Sequence, residues 1–127
     1  MIEELLKGAF IYAIGINSEQ LVIDFANNTL DTTYRLWIDT LIDCELKRAY
    51  ENRGLEEDEV ELLAINRLKY LAITEVQLSR NDDLQITFEK NLHLKVPGSN
   101  PDKSCYEPWR FYQLSPEDKT LKIVSNK

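Results

Sequence analysis

One histidine, His93, is the side chain here whose ordinary pKa lies closest to neutral pH. Any Ser-His-Asp or Cys-His pairing would have to use it. The two cysteines, Cys44 and Cys105, lie 61 positions apart, without Cys-x-x-Cys spacing or a recognisable nucleophile context. In Phe88–Val96 the even positions carry an apolar series, so His93 points the other way, towards solvent or a second layer. A zinc site needs about four Cys or His ligands, or three plus water. Three such residues exist in total. Asp82-Asp83 lacks the Asp-x-Asn-x-Asp-Gly spacing of a calcium loop, and a turn accounts for the pair. Gly8, Gly15, Gly54 and Gly98 are scattered, which excludes a phosphate-cradling loop or a dinucleotide fingerprint. A glycosidase needs two carboxylates facing across a cleft, and nothing in the spacing calls for that. The expectation is a protein that is not an enzyme, with no catalytic residue, no metal and no cofactor.

Binding chemistry is better represented. Ser104–Phe111 places Tyr106, Trp109, Phe111 and Arg110 within a short run. Trp, Tyr and Arg dominate binding hot spots, so Tyr106, Trp109 and Arg110 form a candidate recognition patch. The competing reading is that these aromatics close the end of a β core, with Glu107–Arg110 a weak surface ion pair. A second candidate contact set is acidic: Glu56, Glu57, Asp58, Glu59 and Glu61, with Asp82 and Asp83. Acids at a helix start also stabilise the positive end of the helix dipole, which explains most of them without a partner.

These residues sit in a chain of 127 residues with 22 acids against 15 Lys plus Arg, a net charge of −7. Hydrophobic residues make up 43% and charged residues 29%, the proportions of a folded globular protein and not of a disordered one. The length suits a single domain spanning 1–127. The acidic balance argues against a nucleic-acid binder, which needs a basic footprint. No apolar run approaches the ~20 residues of a membrane span. The acidic start, Met1-Ile2-Glu3-Glu4, is unlike a signal peptide, so the cytoplasm is the expected compartment, with reduced thiols.

An internal repeat organises the chain, at about 8–38 and 70–97. Ile11, Ile14, Ile16, Leu21, Ile23 and Phe25 recur as Ile73, Val76, Leu78, Leu84, Ile86 and Phe88. The offset is 62 for the first three pairs and 63 for the rest, the extra residue falling in the polar link. Alternation on both sides of a short turn predicts a β-hairpin. A third strand follows each time, Thr29–Leu36 and Leu92–Val96, after Asn27-Asn28 and Lys90-Asn91. The fold class is therefore α+β: two duplicated antiparallel β-meanders sharing a core, with one or two helices between them. Leu55–Lys69 reads as a helix with Leu55, Glu59, Leu62, Leu63, Asn66 and Tyr70 on its stripe. Ile38–Asn52 reads as strand as far as Ile42 or Cys44, then helix or loop. Trp109–Leu114 and Leu121–Val124 read as further strands.

The duplicated Ile-x-x-Ile-x-Ile, turn, Leu-x-Ile-x-Phe unit resembles a family of small bacterial proteins when taken with three other features. These are the helix Glu61–Leu68, the step Tyr34-Arg35-Leu36, and Leu94-x-Val96 followed by Tyr106-Glu107-Pro108-Trp109. Members of that family are associated with polymorphic-toxin loci, including contact-dependent growth inhibition, and are taken to be immunity proteins. The resemblance covers most of residues 5–111. It implies a cytosolic protein that neutralises a toxin domain by stoichiometric binding and occlusion, with no catalytic residues to carry over. A nuclease toxin with a basic cleft would attract the acidic groups named above. The alternative is a small-molecule-binding or regulatory module with a pocket between the two β units, lined by Tyr34, Trp37 and Trp109. Open strand edges would also allow a homo-oligomer.

Overall fold

The alternating apolar series become strands whose buried residues meet in one core. The structure, a computed structural model, describes residues 1–99 and 107–125. Among them the strands are β1 (Phe10–Asn17), β2 (Gln20–Asn27), β3 (Thr32–Ile38), β4 (Asp43–Cys44), β5 (Ile73–Leu78), β6 (Leu84–Phe88), β7 (Leu92–Val96), β8 (Trp109–Ser115) and β9 (Lys122–Val124). Two helices, α1 (Ile2–Leu6) and α2 (Glu57–Asn66), precede the two meanders. All strand pairings are antiparallel, in a five-stranded sheet ordered β1-β2-β3-β8-β9 and a four-stranded sheet ordered β4-β7-β6-β5. The chain is thus α+β, with each repeat forming the three-stranded meander at the heart of one sheet. No helix among the described residues is long and apolar enough to cross a membrane.

The repeat's spacing has a structural cause. In each first strand a bulge interrupts the register, between Ile11 and Ala13 in β1 and between Ile73 and Glu75 in β5. A bulge adds one residue on one side of the ladder. It therefore lets Ile11 and Ile14, or Ile73 and Val76, face the core three residues apart. The one-residue difference between the copies sits in the hairpin turns. Ser18 and Glu19, both at positive φ, close β1–β2, whereas Ser79–Asp83 closes β5–β6 with Asp82 at positive φ.

The two units exchange their flanking elements. β4, which follows the first meander, pairs with β7 of the second, and β8, which follows the second, pairs with β3 of the first. The helices cross over as well: α1 lies against β5 and α2 against β1. Backbone bonds fasten the crossing, with Gly8 N–H on Ile73 O (2.8 Å), Ile73 N–H on Ala9 O (2.9 Å) and Tyr70 N–H on Ile11 O (3.0 Å). Ile23, Phe25, Tyr34, Leu36 and Phe111 from one sheet and Ile86, Phe88, Leu94 and Val96 from the other join a single buried cluster, with Leu6 and Ile65 from the helices.

Three boundaries differ from expectation. The third strand runs Thr32–Ile38, not Thr29–Leu36, because Asn27 Oδ1 accepts Leu30 N–H at 3.1 Å and holds the link through Asp31, at positive φ. Helix α2 is ten residues long, five shorter than Leu55–Lys69. Its buried face is Val60, Glu61, Ala64 and Ile65, while Leu55 and Leu63 are exposed. After Ile38 the chain leaves its sheet, with Asp39 N–H on Pro108 O at 2.8 Å, before β4 and a 3₁₀ turn, Glu45–Ala49, on the other sheet.

Candidate functional site

The acids of the central segment gather on one edge. Asp43 of β4 pairs in register with Lys95 of β7, and the 3₁₀ turn that follows packs against α2. Asp43, Glu45 and Glu51 line a cleft with Arg48, His93 and Lys95. Glu56, Glu57, Asp58 and Glu59 are exposed at the start of α2. Glu59 Oε1 accepts the Glu56 N–H (3.0 Å) and Asp58 Oδ1 the Glu59 N–H (2.9 Å), so two of these carboxylates cap the helix. Glu57 pairs with Lys47 at 2.9 Å, and the same ammonium donates to Ile42 O at 3.0 Å.

Glu61 does not belong to this surface. It is 6% exposed and its Oε2 accepts the Ile42 N–H at 2.8 Å. Burial pushes its carboxyl above the usual range, against the pull of the Ile42 N–H and Lys47. The expected partner contact is a structural clamp between α2 and the loop before β4. The helix turns this way because Val60, Ala64, Ile65 and Leu68 must face the core, which carries Glu61 inward with them.

Asp82 and Asp83 occupy the β5–β6 turn, away from the start of α2. Asp83 Oδ1 accepts Gly98 N–H at 2.8 Å, and Asp82 O accepts the Trp109 indole N–H at 2.8 Å. A Cβ on Gly98 would stand 2.0 Å from Asn81 O, so only glycine lets the two loops meet. Asp83 nevertheless shares a cleft with Asp43, across the outer-face row Gln77, Gln85 and Lys95.

The aromatic patch is rearranged. Tyr106 lies outside the described residues. Trp109 is 1% exposed and belongs to the core, so it cannot present a ring to a partner. Arg110 remains on the outer face, 5.2 Å over the Trp37 ring and 3.4 Å from Glu107. Trp37 donates its indole N–H to Tyr112 Oη, and Arg35 grips Asp24 through two bonds of 2.8 and 2.9 Å. The ordered platform is therefore Asp24, Arg35, Trp37, Arg110 and Tyr112. Parity alone could have found it: in Tyr34–Ile38 and Trp109–Tyr112, the residues that alternate with the apolar ones share the outer face. The same parity separates the three aromatics expected to line a pocket. Tyr34 is stacked on Phe111 in the core (5.2 Å), with Trp109 also inside, while Trp37 faces the opposite side of the sheet.

His93 faces outward, as the alternation requires. Glu45 receives both its backbone N–H (2.8 Å) and its ring Nδ1. Burial pushes the Glu45 carboxyl up, but these hydrogen bonds outweigh it and leave it below the usual range. Burial raises the Cys44 thiol, the opposite of what a nucleophilic thiolate requires. Among the described residues, no group of three or more Cys, His, Asp or Glu side chains is arranged to hold a metal ion. Comparison with known families, curated proteins and solved structures returned no match to this chain.

Proposed function

We propose that the protein is an immunity-type protein that neutralises a basic toxin domain by one-to-one binding, in the cytoplasm. The observation that carries this reading is the edge formed by β4, the 3₁₀ turn and the start of α2. It gathers Asp43, Glu45, Glu51, Glu56, Glu57, Asp58 and Glu59, against Lys47, Arg48 and Arg53 in the same stretch. Lys47 and Glu57 form an ion pair and largely cancel each other's field, so the outward negative surplus rests on the other acids of the edge. Such an edge steers a basic partner into contact and lies over a basic cleft, excluding its substrate. The net charge of −7 strengthens the long-range attraction. No step of chemistry is required of this chain.

The test is coexpression of the protein with the toxin domain encoded beside it. Growth should be restored, with one-to-one copurification. Replacing Glu56 and Glu57 by glutamine and Asp58 by asparagine, which removes the charges but keeps the side-chain acceptors at the helix start, should weaken protection sharply while the protein still unfolds in one cooperative thermal transition. Undiminished protection by that variant would remove the acidic edge from the interface. A neighbouring domain that is harmless on its own would remove the immunity reading.

A further inference from the structure

The duplication supplies an internal comparison between two sheet edges. β1 closes one side of its sheet and β5 the equivalent side of the other. At matching positions β5 carries Thr74, Glu75 and Gln77, with Glu75 exposed, whereas β1 carries Tyr12, Ala13 and Gly15. A charge in mid-edge discourages the addition of a further strand, and β1 has no charged residue from Phe10 to Asn17. Its first half is already engaged, since Ile11 O receives Tyr70 N–H. Among the described residues, nothing bonds the outer edge of Ala13–Asn17. Ile16 is 39% exposed there, and a Cβ placed on Gly15 would have open space around it.

We infer that Ala13–Asn17 pairs antiparallel with the same segment of a second copy, about a two-fold axis at Gly15, joining the two five-stranded sheets into one. The free segment is centred on that glycine, so pairing uses its whole length. The register sets Gly15 against Gly15 and Ala13 against Asn17. It also sets Ile14 against Ile16, which covers the exposed isoleucine of each copy. Charge complementarity supports this occupant. Beyond this register the Ser18–Glu19 turn of each copy is carried past the bulge of the other, towards the end of β1 where Ile11 O holds Tyr70, the neighbour of Lys69, so an exposed acid approaches a lysine. The contact is made twice, and no acid on the edge opposes another although each chain carries −7.

Sedimentation velocity of the full chain tests the pairing. The wild-type protein should form a dimer. Gly15→Lys and Gly15→Glu should each be monomeric and still unfold cooperatively, at a temperature that no longer depends on protein concentration, because each sets a charge against its own copy where a Cβ has room. An equimolar mixture of the two should dimerise, with a dissociation constant at least about tenfold below that of either alone. Glu19→Lys and Lys69→Glu should each weaken the wild-type dimer, and the double variant should restore it. That series keeps the test independent of any effect of Gly15 on folding. A wild-type protein that stays monomeric at high micromolar concentration overturns the inference. So does a Gly15→Lys variant that dimerises as wild type does, or a mixture that stays monomeric.

Discussion

Glu61 holds a carboxylate inside the protein to receive one backbone N–H, that of Ile42. Its folded-state pKa is raised, so the folded protein binds its proton more tightly than the unfolded chain does. Its contribution to stability is therefore greatest below the ordinary carboxylate range and falls as pH rises through the raised value. Glu45, held low by His93, acts with the opposite sign: its contribution is present above the ordinary range and is lost on acidification. Glu61→Gln keeps an acceptor for Ile42 without the buried charge. Urea titrations from pH 5 to 8 should show equal or greater stability than wild type and a flatter pH dependence. Glu61→Ala, which strands the N–H, should cost about 1–3 kcal/mol. Gly98→Ala should cost about 1–3 kcal/mol by forcing apart two backbones in contact, measured by the same titration. Neither role was legible in the sequence. A carboxylate among helix-start acids looks like its neighbours until the helix's rotation is known, and Gly98 matters only because a distant turn touches it.

The rotation of α2 is a property of the element, and it divides neighbours sharply. Ile65 is fully buried and Leu63 is exposed. Ile65→Ala should cost about 2–5 kcal/mol and Leu63→Ala under about 1 kcal/mol in chemical denaturation. Similar costs at the two positions would mean that the helix sits differently. The sequence misplaced this face because apolar residues occur nearly all round the helix, Leu62 and Leu63 as well as Ala64 and Ile65. Strands were far more legible. Period-two alternation is specific, and both hairpins and both tail strands lie where it put them. The bulges appear in the sequence as the three-residue step Ile11–Ile14 and Ile73–Val76. Helix α1 escaped because five residues are too few to show a period. The outer-face platform was legible in parity but was obscured by the density of aromatics in Tyr106–Phe111.

At the scale of the whole molecule, each sheet is completed by a strand from the other unit, and each helix covers the other unit's first strand. Such exchange makes the halves interdependent. Separately produced chains of residues 1–54 and 55–127 should each lack a cooperative transition, and mixing them should restore one, followed by circular dichroism. The duplication was visible as a 62–63-residue offset, but the exchange was not. Partner choice among strands depends on where connecting loops lead, and the short β4 gives no pattern to read. The exchange also governs how the protein emerges from the ribosome. Strand β3 is finished at Ile38, but its neighbour β8 begins only at Trp109, about 70 residues later. At usual synthesis rates that is a wait of roughly 4–14 s. During that wait the nascent chain carries an unsatisfied strand flank beside apolar side chains. Newly made protein is thus at its most vulnerable to chaperone capture or mispairing just before its last strands appear.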